Sequence, residues 1–194
     1  MYKRCVTEGA AQRQRMLEDC LLKKMQDIPY QQIFISDLCE EVGCSRKAFY
    51  RYYNGKDDCL NALIDRTLMG FASYQGKVEG LKGDYPADLA KYLKYLMEQK
   101  ELLDALIKNE LSRALLERTL THVLNEEYGA RRWFKADNTK YSEEILLFAF
   151  SGIISLILNW HSTGYKRSFE EMIHILTQLI TSPLATNPHL GGVE

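Results

Sequence analysis

Apolar residues recur at helical spacing along nearly all of this chain. Leu17, Leu21, Met25 and Ile28 repeat every three or four positions, which predicts an amphipathic helix over Gln12–Asp27 that Pro29 ends. Ile35, Leu38, Cys39 and Val42 mark a second, short helix. Gly43 suits a left-handed helix-ending position, and the Ser45 hydroxyl can cap the helix that follows. That third helix, Arg46–Tyr53, turns Ala48, Phe49 and Tyr52 to one face before Asn54-Gly55 breaks it. A fourth opens at Lys56 and runs to the late seventies.

Gly76, Gly80, Gly83 and Pro86 then cluster, which places the loosest joint of the chain there. Leu89, Tyr92, Leu93, Leu96 and Met97 mark a fifth helix, and Leu102, Leu103, Leu106 and Ile107 a sixth. Leu111, Leu115, Leu120, Val123 and Leu124 mark a seventh, ending near Gly129. Ala130–Tyr141 is polar and basic around Trp133 and reads as a loop. Ser142–His161 is a long apolar helix. Ser168-Phe169-Glu170-Glu171 is a capping box opening a last helix, with Ile173, Leu176, Leu179 and Ile180 on its face. Thr181–Glu194 carries two prolines and two glycines and reads as a frayed tail. No strand-like alternation of useful length occurs, so the pattern predicts an all-α protein of about nine helices.

Composition narrows the function. Apolar residues make up 46% and charged residues 26% of 194 residues, the mix of a soluble globular chain. Net charge is −1, so nucleic-acid binding has to come from a local patch. The five cysteines, an odd number, all lie at or before Cys59 without a CxxC pair, unlike a secreted disulfide framework. Met1-Tyr2-Lys3-Arg4 runs into polar sequence with no signal-peptide core, and the expected compartment is the reducing cytoplasm. The apolar run Ile145–Trp160 falls short of the roughly 20 residues that span a bilayer, so a buried helix and no membrane are expected. His122, His161, His174 and His189 are scattered, and Cys39 and Cys44 have no histidine near them, so no metal site is expected. The cysteines read as small buried hydrophobes, with a thiol sensor as the alternative. No phosphate loop, nucleophile elbow or paired-carboxylate motif occurs, which argues against an enzyme and a cofactor.

The informative stretch is Ile33–Leu60. Two short helices joined by a glycine-containing turn describe a helix-turn-helix. The inner face of the third helix is spent on Ala48, Phe49 and Tyr52, so Arg46, Lys47, Tyr50 and Arg51 face solvent. A helix with such a cationic tip can enter a major groove, its arginine and lysine donating to guanine acceptors and Tyr50 to phosphate. Lys56 adds charge at a helix N-terminus, where the dipole already favours an anion. Taken without context, the same residues also fit an ordinary solvated helix face.

The run Ile33-x-Ile35-x-Asp37-Leu38-Cys39-x-x-Val42-Gly43-Cys44-Ser45-Arg46-Lys47-x-Phe49-Tyr50-Arg51-Tyr52-Tyr53-x-x-Lys56-x-x-x-Leu60 resembles the DNA-binding domain of TetR-family transcriptional regulators. The resemblance extends back over the first helix, and Gly152…Leu156…Trp160…Gly164…Ser168-Phe169-Glu170-Glu171-Met172 is similar to one branch of the family's C-terminal domains. It implies a three-helix DNA-binding domain over residues 1–60, a helical ligand-sensing and dimerisation bundle over 61–182, and a tail over 183–194. It places Ser36, Ser45, Arg46, Lys47, Tyr50, Arg51, Tyr52 and Lys56 at positions that touch operator DNA. Two departures stand out. Phe34 sits where the family often has a capping threonine, and Gly55 replaces a frequent serine or threonine before Lys56.

By the same resemblance the last two helices pair with their copy in a homodimer, through Ile153, Ile157, Ile173, Leu176 and Ile180. An apolar effector, aromatic or not, would lie among Tyr92, Tyr95, Leu96, Leu103, Leu115, His122 and Trp160, residues that also suit a plain core. The expectation is a repressor on a palindromic operator, released by that effector. The rival is a helical adaptor or coactivator that answers to a protein partner.

Overall fold

The computed structural model describes residues 2, 7–77, 85–125 and 142–181. Among them are nine α-helices and no strand: α1 Glu8–Asp27, α2 Ile35–Val42, α3 Arg46–Phe49, α4 Lys56–Lys77, α5 Tyr85–Glu98, α6 Lys100–Lys108, α7 Ser112–Leu124, α8 Ser142–Ser162 and α9 Phe169–Thr181. A 3₁₀ turn, Tyr30–Gln32, links α1 to α2. The all-α architecture expected from the periodicity is the one observed. The loop expected over Ala130–Tyr141, the tail over 183–194 and positions 78–84 of the glycine-rich joint lie outside the described residues.

The helices group into two compact units, Met1–Ala72 with Gln99–Arg118, and Ser73–Glu98 with Thr119–Glu194. The first unit therefore contains α6 and the start of α7 beside the N-terminal helices. Its core is Leu17, Leu21, Met25, Leu38, Phe49, Tyr53, Leu63, Ile64 and Leu106. Polar clasps hold α6 against the end of α1. The Asn109 amide donates to Met25 O at 3.1 Å and Ala105 O at 2.8 Å, and its Oδ1 accepts from the Tyr30 N–H at 2.6 Å. Gln26 Nε2 donates to Glu101 O at 2.9 Å, and Lys108 donates to Gln26 O. Two of these bonds, to Met25 O and Gln26 O, satisfy carbonyls at the α1 C-terminus that the helix cannot satisfy itself.

Buried charge in this unit is paired. Asp65 on α4 accepts both from Arg118 Nε and from its terminal nitrogen, at 2.6 Å each, and from the Tyr2 hydroxyl at 2.6 Å. Glu18 meets Arg66 at 2.8 Å and the Tyr53 hydroxyl at 3.0 Å. Burial nevertheless pushes the Glu18 carboxyl above its ordinary pKa, and Arg66 only partly offsets this.

α6 ends at Glu110, which lies in the left-handed region at φ 59°. The Leu111 N–H closes the helix by bonding Leu106 O at 2.7 Å. A glutamate there carries backbone strain that glycine lacks. Glu110→Gly should therefore raise stability by about 0.5–1 kcal/mol, read as a higher urea midpoint; a lower midpoint would contradict the strain.

In the second unit α8 carries one buried stripe, Leu146, Phe150, Ile153, Ile154, Ile157 and Trp160. Leu146 and Phe150 pack with Val123 and Leu120 of α7, while α5 packs on α9. α8 ends at Gly164 (φ 71°), where the Gly164 and Tyr165 amides return to His161 O and Trp160 O at 2.9 Å each. The Tyr165 ring then stands edge-on to Trp160 at 4.9 Å. The capping box at α9 is present in both halves. Ser168 Oγ accepts from the Glu171 N–H at 3.1 Å, and the Glu171 carboxylate accepts from the Ser168 N–H at 2.8 Å.

The helix is longer than the Ile145–Trp160 run, so length does not exclude a membrane span as expected. Over Glu143–Ser162 α8 has a mean hydropathy of 1.7 and is long and apolar enough to cross a membrane. Its buried stripe inside the second unit, not its length, favours a place in the bundle.

Candidate nucleic-acid interface

The turn between α2 and α3 is built from short-range bonds. Gly43 adopts φ 68°, ψ 37°, which only glycine takes without strain. The Gly43 N–H bonds Glu40 O at 3.1 Å and the Cys44 N–H bonds Cys39 O at 2.8 Å, closing α2. Ser45 then caps α3, its Oγ accepting from the Ala48 N–H at 3.1 Å. The α-helix proper stops at Phe49, four residues short of the expected Tyr53. Beyond it the bonds tighten, Arg51 N–H to Ala48 O and Tyr52 N–H to Phe49 O, and this turns both Tyr52 and Tyr53 inward. Phe49 is fully buried, with Tyr53 at 5.2 Å and Tyr50 edge-on at 5.6 Å.

This packing leaves Ser45, Arg46, Lys47, Tyr50 and Arg51 exposed on one short rod. Among the described residues no carboxylate is ion-paired with Arg46, Lys47 or Arg51. The rod thus presents three cations without an ion pair among the described residues, and a phenol. Tyr52 is different. It is only 7% exposed and packs on Tyr53 at 6.1 Å, so its ring belongs to the core.

Beside the rod is a cleft of about 380 Å³ lined by Gln31, Ile33, Phe34, Ile35, Ser36, Arg46 and Lys56. It brings Ser36, Arg46 and Lys56 together at the N-terminus of α2. Phe34 is 63% exposed there and forms no side-chain cap. Asp37 supplies the other half of a capping box. One carboxylate oxygen accepts from the Phe34 N–H at 3.3 Å and the other from the Ser36 hydroxyl at 3.1 Å. The start of α4 is held in a similar way despite Gly55. Asp58 accepts from the Asn54 N–H at 3.1 Å and from the Asn54 amide at 2.7 Å.

Lys56 has work inside the chain that its sequence position did not announce. Its ammonium donates to Tyr30 O and, at 2.8 Å, to Ile33 O, and sits 4.1 Å from the centre of the Tyr30 ring. Burial lowers its pKa. The Tyr30 hydroxyl donates to Asp57 at 2.6 Å, so the 3₁₀ turn is pinned to the first turn of α4. Lys56→Ala should lower stability by about 1–2 kcal/mol in urea denaturation; an unchanged midpoint would show that the two carbonyls are as well served by water.

Residues 86–182, half of the chain, match the family model described as a transcriptional regulator C-terminal region of the TetR type. The chain belongs to the TetR family of transcriptional regulators. The match covers α5 to α9 and leaves the helix-turn-helix outside it. A solved TetR-like structure, the "Dihydroxyacetone kinase operon activator DhaS", is similar over 90% of this chain and 97% of its own, with a TM-score of 0.55 at 17% identity. Likeness at that identity shows the shared fold. Among curated proteins no sequence matches.

The other expected site residues of this TetR-family chain are all placed. Tyr92, Tyr95, Leu96, His122 and Trp160 are buried in the second unit, Leu103 and Leu115 in the first. Ile153, Ile157 and Leu176 are buried within the protomer, while Ile173 and Ile180 are partly exposed. The outward stripe of α8 runs through Phe148, Gly152, Ser155 and Asn159, with Phe148 76% exposed, and on α9 Leu179 is 51% exposed. Helical spacing counted from the buried Leu146 would have found that stripe. Thr119 also escaped the sequence reading. It is 2% exposed, and its hydroxyl has no hydrogen-bond partner among the described residues.

Proposed function

We propose that this chain is a cytoplasmic, sequence-specific DNA-binding regulator that docks α3 in the major groove as one half of a homodimer. The observation that carries the reading is the exposed face of Arg46, Lys47, Tyr50 and Arg51 on a helix anchored by Phe49 and capped by Ser45. Arg46 and Lys47, nearest the helix start, read base edges. Ser45, Tyr50 and Arg51 hold phosphates, and Ser36 and Lys56 offer the cleft at α2 to the adjoining backbone. Tyr52 acts through its packing.

Two copies join through the outward stripe of α8 and α9, Phe148 and Leu179 with Ile173 and Ile180. Large apolar side chains left exposed in this way are an aggregation liability in a monomer. Two-fold symmetry then calls for an imperfect palindrome with half-sites about 34–36 Å apart, or a multiple of this. Repression with release by an apolar effector is the working mode. Tyr92, Tyr95, Leu96, His122 and Trp160 line the effector's side of the second unit, and the Thr119 hydroxyl supplies a polar anchor. An effector that prefers the non-docking state shifts the population away from DNA. The name of the solved neighbour, an operon activator, favours testing activation as the second reading.

Selection from random duplex oligonucleotides tests this. The expected product is one palindromic motif bound by a dimer. Salt-sensitive binding without sequence preference would instead support the adaptor reading.

A further inference from the structure

The α2–α3 turn holds two thiols. Cys39 is C3 of the helix-closing motif and Cys44 lies just past it, joined by the 2.8 Å bond from the Cys44 N–H to Cys39 O. Positions so related bring their side chains into contact, and here both side chains end in sulfur. Both thiols are free. Cys39 is buried and Cys44 is partly exposed, whereas Cys20 and Cys59 are buried elsewhere in the first unit. Residue 44 is followed at once by Ser45, the cap of the recognition rod.

We propose that Cys39 and Cys44 form a modification site for two-electron thiol oxidants such as hydroperoxides, closing to a disulfide that weakens DNA binding. The Cys44 thiolate attacks one peroxide oxygen. The O–O bond breaks, the departing hydroxide takes the thiol proton as water, and Cys44 becomes a sulfenic acid. Cys39 sulfur then attacks Cys44 sulfur, the S–O bond breaks, and the departing hydroxide leaves as a second water with the Cys39 proton. Two thiols are oxidised and one peroxide is reduced. Cys44, the more exposed of the two, meets the oxidant first, and Cys39, buried behind it, is left to resolve. Cys20 on α1 and Cys59 on α4 are both buried, so neither is open to the oxidant as Cys44 is.

Closing two non-bonded sulfurs to about 2 Å draws the turn inward. The start of α3 moves with it, and hydrogen bonds to DNA do not tolerate such a shift. The effect on DNA rests on the function proposed above; formation of the disulfide does not.

The test uses the full chain carrying Cys5→Ser, treated with hydrogen peroxide and then with N-ethylmaleimide. The expected product has lost two hydrogens. Cleavage after Glu40 and Glu41 then leaves the Cys39 and Cys44 peptides linked until dithiothreitol separates them. Absence of that link, or pairing with Cys20 or Cys59, overturns the site. In the second arm the probe is the duplex selected with reduced protein. Oxidation should weaken its binding about tenfold, reversibly with dithiothreitol, and Cys44→Ser and Cys39→Ala should each abolish the response. A linked protein with unchanged affinity overturns the effect on DNA. If the reduced protein selects no duplex, the proposed function fails while the peptide result still decides the site.

Discussion

Replacing Arg46 and Lys47 together by alanine is expected to weaken binding of the selected duplex roughly a hundredfold at fixed salt. The magnitude follows from two base-edge contacts, each worth about 1–3 kcal/mol of discrimination. Both side chains are exposed and neither is ion-paired with a described carboxylate. The rod's anchors, Phe49 below and Ser45 at its start, are untouched. Melting temperature and dimer mass should therefore stay at their wild-type values. A double variant that still finds its palindrome with wild-type affinity would remove α3 from the groove. Lys47→Ala measured alone over a salt series separates the two kinds of contact: a phosphate contact lowers the salt slope by about one unit, a base contact changes preference at one position.

Asp65→Ala is expected to cost about 3–5 kcal/mol, a large share of the roughly 5–15 kcal/mol that holds such a chain together. Asp65 lies fully inside the first unit and takes two bonds from Arg118 and one from Tyr2. Removing the carboxylate takes from the Arg118 guanidinium both of its bonds to Asp65 and from the Tyr2 hydroxyl its acceptor. Most of the loss should be recovered in Asp65→Leu with Arg118→Met, because apolar packing then replaces both charges and strands neither. Urea denaturation followed by circular dichroism reads both variants. A cost under about 1 kcal/mol in the single variant would show that water screens the pair as it does at a surface.

These two variants probe different ranges along the chain, and the difference explains what was legible. Gly43, Ser45 and the Ser168–Glu171 box were placed from sequence because each acts within five residues. The geometry of a helix end is dictated by neighbours that the chain order already supplies. The outward face of α3 was legible for the same reason, since Phe49 and its neighbours declare the inward side. The dimer stripe was harder. Ile153, Ile157 and Leu176 have the right chemistry, but apolar side chains mark the face packed inside the protomer as readily as one packed on a partner. Burial alone separates Phe148, Gly152 and Ser155 from them.

Lys56 marks the limit of position-based reasoning. Its place before α4 pointed to phosphate, and nothing there pointed to the carbonyls 23 and 26 residues earlier that also hold its ammonium. Asn109 reaches 79 residues back to Tyr30, and Arg118 reaches 53 back to Asp65. No period or motif encodes such pairings, because they depend on how helices distant in sequence come to lie side by side.

By itself, then, the order of residues determined helices, caps, the turn and the cationic face, all of them products of interactions a few residues long. Tertiary structure alone decided that α6 joins the N-terminal helices, which side of α8 is left open, and that Lys56 is tethered. Burial and long-range hydrogen bonds exist only once the chain has packed, so nothing local could announce them.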